Sequence, residues 1–150
     1  MKRLFPAWLA QCAWLAVLLA IAAGMGSAAA AEPRVKAVYH INEGLQQATN
    51  GLRNIRNHLS ADPKAKITVV AHAAGIDFLL EGAKDKNGNP YDAIVQDLVS
   101  QGVDFRICNI TLQSRKIDKS RVIPEATIVP SGVAEIARLQ AVEHYAYVKP

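Results

Sequence analysis

Val103-Asp104-Phe105-Arg106-Ile107-Cys108-Asn109-Ile110-Thr111-Leu112 is the stretch from which the rest of the chain can be read. Its β-branched and aromatic residues predict a short buried strand that delivers a cysteine to its carboxyl end. Gly102 just before it is a helix stop, so a helix is expected upstream. Strand side chains alternate between faces, which puts Arg106 on the same side as Cys108.

Upstream, residues 35–41 read as a strand, and Asn42 is expected to cap the helix that follows. Leu45, Ala48, Leu52, Ile55 and Leu59 recur at spacings of three and four, which predicts one buried helical face. Gln46, Gln47, Asn50, Arg53, Asn54 and Asn57 fill the opposite face, and His58 is expected to be exposed. Pro63 blocks continuation. The continuous apolar run in residues 66–72 predicts a strand covered on both sides. Residues 73–83 read as a loop with one helical turn, and Asn87-Gly88 as a polar turn. Asn89 as cap and Pro90 as first residue open a second helix, with Ile94, Val95, Leu98 and Val99 as its buried stripe.

Downstream, residues 114–121 are polar and basic. Residues 126–130 form a fourth predicted strand. Ser131 then caps a last helix, with Val133, Ile136, Ala137 and Gln140 on one side and Glu135 near its positive N-terminal end. Residues 144–148 read as a fifth, edge strand. This alternation predicts an α/β fold: a single compact three-layer sandwich, with a mostly parallel sheet of four or five strands and helices on both faces.

Ligands of such sheets bind beyond the carboxyl ends of the strands. Those ends carry His40 and Asn42, His72, Cys108 and Asn109, and Ser131 and Gly132. With Arg106 beside the cysteine and Asp77 orienting the loop after the second strand, they are the candidate binding residues. No glycine-rich phosphate fingerprint and no Walker lysine occurs, and no cofactor is expected. His40, His72 and Cys108 are also a possible soft-metal trio, although their spacing matches no known local metal motif. Ser131 lacks the elbow of a serine nucleophile and is explained by capping.

The 150 residues are 51% hydrophobic, a value inflated by the start of the chain. Met1-Lys2-Arg3 is a basic n-region, residues 7–23 are almost wholly apolar, and Ser27-Ala28-Ala29-Ala30-Ala31 offers a cleavage site. Residues 1–31 therefore read as a secretory signal peptide, and residues 32–150 as one exported, periplasmic domain without a membrane segment after cleavage. Removing Lys2 and Arg3 lowers the formal charge from +4 to +2, too little to argue for nucleic acid. Cys12 leaves with the leader, and Cys108 remains as the sole cysteine. It has no internal disulfide partner and is either a packed small residue or a working thiol.

The order and spacing of Tyr39-His40-Ile41-Asn42, residues 71–80, residues 102–112 and residues 129–140 resemble the DsrE/DsrF-like sulfur-relay family over most of the mature chain. The resemblance implies a homo-oligomer, often a trimer or hexamer, and in some members a persulfide carried on a cysteine at the position of Cys108. It implies as partners sulfur donor and acceptor proteins or small sulfur anions. The chemistry would need a thiolate, favoured by helix N-termini and nearby cations such as Arg106, Arg115, Lys116, Lys119 and Arg121. A histidine at a neighbouring strand end could accept the thiol proton. The expected function is thus an exported sulfur carrier using catalytic Cys108. The alternative is a noncatalytic oligomeric module that binds a small ligand or metal in the strand-end pocket.

Overall fold

Five strands and four α-helices follow one another through residues 34–150, the part of the chain that the structure, a computed structural model, describes. The signal-peptide reading of residues 1–31 lies outside it. In chain order the elements are β1 (Lys36–Ile41), α1 (Leu45–Ala61), β2 (Lys66–Ala71), a 3-10 segment (Ala73–Leu79), α2 (Tyr91–Ser100) and β3 (Asp104–Cys108). Then come α3 (Asn109–Ser114), a 3-10 turn (Lys119–Arg121), β4 (Ala126–Val129), α4 (Gly132–Ala141) and β5 (Ala146–Val148). The sheet order is β4-β3-β2-β1-β5. All four pairings are parallel, so the expected α/β class holds and the sheet is wholly parallel.

The topology explains the layers. The chain steps in one direction from β1 to β4, then reverses to place β5 on the far side of β1. Crossovers of one hand put helices on one face while the chain steps one way, and on the other face once it reverses. The first face packs Ala37, Tyr39, Ile41, Ile67, Val69, Phe105 and Ile107 against α1, α2 and the 3-10 segment. The second packs Val38 and Val70 against Ile136 and Leu139 of α4 and against Tyr145. On the first face Phe78 stands edge-on to both Tyr91 and Phe105, with ring centroids 6.0 and 6.2 Å away.

Several local expectations are corrected. Strand β3 ends at Cys108, as expected, and helix α3 starts immediately at Asn109. Asn42 does not cap α1; the helix starts two residues later, behind Gly44 at a φ of 101°. Gln47, expected on the polar face, is only 6% exposed. Its Oε1 accepts from the N–H groups of Asn42 (2.7 Å) and Glu43 (2.8 Å), so it holds the turn that Asn42 was expected to hold. Leu45, in the open first turn, is exposed instead. His58 is half-buried and bonds the Tyr39 hydroxyl at 3.0 Å.

Helix α2 starts at Tyr91, because the Asn89 N–H and side-chain amide donate back to Asp85 at 2.9 and 3.0 Å. Its buried stripe is Tyr91, Val95 and Leu98, and Val99 is exposed. In α4 the buried residues are Gly132, Ile136 and Leu139, while Val133, Ala137 and Gln140 face solvent. The helix is rotated because Gly132, which lacks a Cβ, is the residue turned onto the sheet.

Candidate functional site

Cys108 sits where the chain's connections part. β3 feeds α3 and β4 feeds α4, whose packing lies on the opposite face of the sheet. Adjacent parallel strands whose helices leave in opposite directions open a crevice at their carboxyl ends. Cys108 is the last residue of β3, only 4% exposed. Burial pushes its thiol up, since a thiolate loses hydration there. The nearby N–H groups of Gly132, Thr111 and Ile110 and the Thr111 hydroxyl favour the thiolate and outweigh burial, so the thiol lies below its ordinary value. Two diverging helix starts thus supply the donors. Thr111 Oγ1 also accepts the Ala73 N–H at 3.0 Å, which leaves its own proton for sulfur. Ala73 has a φ of 51°, and this bond fixes it there.

His72, the residue after β2, stands next to Cys108. Ala71 pairs with Ile107, and a Cβ on Gly132 would lie 3.1 Å from His72 Cβ and 3.2 Å from Cys108 Cβ. His40 reaches across from β1, its Nε2 2.7 Å from His72 Nε2 and its Nδ1 2.6 Å from the Tyr147 hydroxyl. Burial, the neighbouring imidazole and the Lys149 cation lower His40 to about 4, against a weaker opposing pull from Glu43. Burial and Lys149 lower His72 as well. Both rings are therefore neutral near pH 7, and each spends Nε2 on the other. Among the described residues no group of three or more His, Cys, Asp or Glu side chains is gathered to hold a metal ion, so the trio does not form the soft-metal set considered from the sequence.

The other candidates divide. Ser131 Oγ accepts from the Ala134 N–H at 3.3 Å, the expected cap. Gly132 gives an N–H to the thiol and close passage for its neighbours. The Oδ1 atoms of Asn42 and Asn109 are buried and have no hydrogen-bond partner. Arg106 shares the side of Cys108, but its guanidinium is engaged by Asp104 at 2.5 Å and by Glu135 of α4. Its charge is already neutralised within that network. Asp77 pairs with Arg115 at 2.6 Å, tying the 3-10 segment to the end of α3. Lys116, Lys119 and Arg121 are exposed. Thr111, Gln47 and Tyr147 were not singled out as site residues from the sequence; a threonine three residues past the cysteine becomes a signal only once a helix is known to start at Asn109.

Two tests follow from this geometry. Thr111→Val removes one donor to sulfur and orphans the Ala73 N–H. It is expected to slow alkylation of Cys108 at neutral pH by about tenfold and to cost about 1–3 kcal/mol in a urea titration. Unchanged alkylation would show that the hydroxyl does not act on the thiol. Acid should also destabilise the domain through His40. Its folded value lies below the ordinary 6.5, so the unfolded chain binds the proton first as pH falls. The contribution is whole above about pH 6.5 and is lost on the way down to about 4. Solvent screening limits it to about 1–2 kcal/mol. Urea midpoints of wild type and His40→Gln should converge in acid; a constant gap would contradict the assignment.

The fold and this crevice define a wholly parallel α/β domain with a donor-ringed thiol at a strand end. Residues 35–150 match the DsrE/DsrF-like family, and the chain belongs to that family, which is generally associated with sulfur relay. Among solved structures it is similar to MTH1491, a protein of unknown function from Methanobacterium thermoautotrophicum. The two are 30% identical, with a TM-score of 0.69, over 77% of this chain and 99% of that one. The ychN protein from E. coli shares the fold at a TM-score of 0.65 and 15% identity, over 79% of this chain and 100% of that one. No match was found among curated proteins.

Proposed function

We propose that this protein is an exported sulfur carrier that holds sulfane sulfur as a persulfide on Cys108 and hands it to a partner. The observation that carries the reading is the set of donors aimed at a single buried thiol, which favours the thiolate. The Cys108 thiolate attacks a terminal sulfur of inorganic polysulfide. A new S–S bond forms, the old one breaks, and a polysulfide one sulfur shorter leaves with the electron pair. Transfer to the acceptor's thiolate is the same exchange in reverse, and a lone cysteine makes every transfer intermolecular. The signal-peptide pattern of residues 1–31 supports action in the periplasm, and the family resemblance supports a homo-oligomer, a trimer or hexamer.

The test is intact-protein mass spectrometry after exposure to polysulfide. Wild type should gain one or more sulfur atoms, removable by reductant, and Cys108→Ser should gain none. Equal gains in both proteins would end the carrier reading. One observation favours a second reading, a noncatalytic ligand-binding module: the unpartnered acceptor atoms of Asn42 and Asn109 at the strand ends. That reading requires thermal stabilisation by a donor-bearing ligand even when Cys108 is alkylated.

A further inference from the structure

Tyr147 lies in the edge strand β5, far from Cys108 in sequence, yet it begins a hydrogen-bonded series that ends at His72, on the strand next to Cys108. Its hydroxyl meets His40 Nδ1 at 2.6 Å, and His40 Nε2 meets His72 Nε2 at 2.7 Å. The two imidazoles stack with centroids 4.7 Å apart. Among the described residues His72 Nδ1 makes no hydrogen bond, and the His72 Cβ shares the Gly132 contact with the Cys108 Cβ. Tyr147 is 43% exposed, so the outer end of the series reaches solvent.

We propose that Tyr147, His40 and His72 form a proton relay that carries the Cys108 proton to solvent without charging either imidazole. The proposal rests on the reading of Cys108 as a working thiol, because a thiol proton must leave before sulfur is attacked. In the resting series His72 Nε2–H donates to His40 Nε2, His40 Nδ1–H donates to the Tyr147 oxygen, and the Tyr147 O–H faces solvent. The thiol proton passes through one intervening water to His72 Nδ1. His72 gives its Nε2 proton to His40 Nε2, His40 gives its Nδ1 proton to the Tyr147 oxygen, and Tyr147 releases its own proton to water. One proton enters and one leaves. The series ends in the opposite tautomers, with both rings neutral and His72 Nδ1–H now able to donate toward the thiolate.

A single histidine acting as base would instead have to become an imidazolium. The surroundings oppose that. The rings are partly buried against each other, and the Lys149 cation repels charge on both. Glu43, the one facing carboxylate that favours charge on His40, is itself ion-paired with Lys149. A two-ring series with a phenol at its end moves the proton without that cost.

The experiment is imidazole nitrogen NMR on the full mature domain through the titration of Cys108. In wild type the protonated nitrogen of both rings should switch in step as the thiolate forms. In Tyr147→Phe, with folding checked by circular dichroism, His40 should keep one tautomer throughout. Rings that stay fixed in wild type, either ring charging as the thiol ionises, or a Tyr147→Phe protein that switches like wild type would each overturn the relay. Polysulfide loading is read separately by mass. Loading with fixed rings sinks the relay alone, and switching rings without loading sinks the carrier reading alone.

Discussion

Gly75→Ala is expected to cost about 3–5 kcal/mol, a large share of the roughly 5–15 kcal/mol that holds a domain folded. A Cβ at this position would overlap the Ile41 carbonyl and the Asn42 nitrogen. Both are backbone atoms, and the Ile41 carbonyl is already held by the His72 N–H at 3.1 Å. Neither can turn aside as a side-chain tip would. Either the end of β1, carrying His40 and Asn42, moves away from the 3-10 segment, or the segment lifts from the core with Phe78. Gly82→Ala is the control. Gly82 has a φ of 76° with open space where a Cβ would go, so alanine there costs only backbone strain of about 1–2 kcal/mol. Urea denaturation of the two variants beside wild type makes the comparison. A Gly75→Ala loss no larger than that of Gly82→Ala would show that the close approach is not needed.

Cys108→Ser is expected to abolish polysulfide uptake completely while the protein folds as before. Serine is nearly the same size, and its oxygen can accept from the same Gly132, Thr111 and Ile110 N–H groups that now face sulfur. Stability should therefore change by no more than about 1.5 kcal/mol. The chemistry should not survive, because the donors act on an ionisable thiol and a serine hydroxyl stays protonated at neutral pH. Thr111→Val should fall between the two, with slowed but complete loading. Loss of loading together with loss of structure in Cys108→Ser would point to a packing role for the cysteine; circular dichroism and a urea midpoint separate the cases.

The loading, alkylation and tautomer measurements read different links of one chain of events. Alkylation reports the thiolate population, the ring nitrogens report where its proton goes, and mass reports what the sulfur then accepts. Arg106 enters none of them directly. Its ion pairs with Asp104 and Glu135 join β3 to α4, and their role is to hold the helix whose first amide faces the thiol.

The chain's local patterns were sufficient for the order of strands and helices, the single thiol of residues 32–150, its place at a strand end and the capping of α4 by Ser131. These follow from periodicity, turn residues and caps, which act over a few neighbours. Tertiary structure alone decided what surrounds the thiol. Helix α4 buries Gly132 rather than Val133 because the glycine passes between Cys108 and His72. Arg106 is paired away from the cysteine by Glu135, 29 positions on. Gln47 leaves the polar face because the β1–α1 turn needs its carboxamide. Tyr147 meets His40 across 107 positions because β5 returns to pair with β1 rather than β4. Each of these contacts depends on how far the chain travels before it closes, and local periodicity carries no record of that distance.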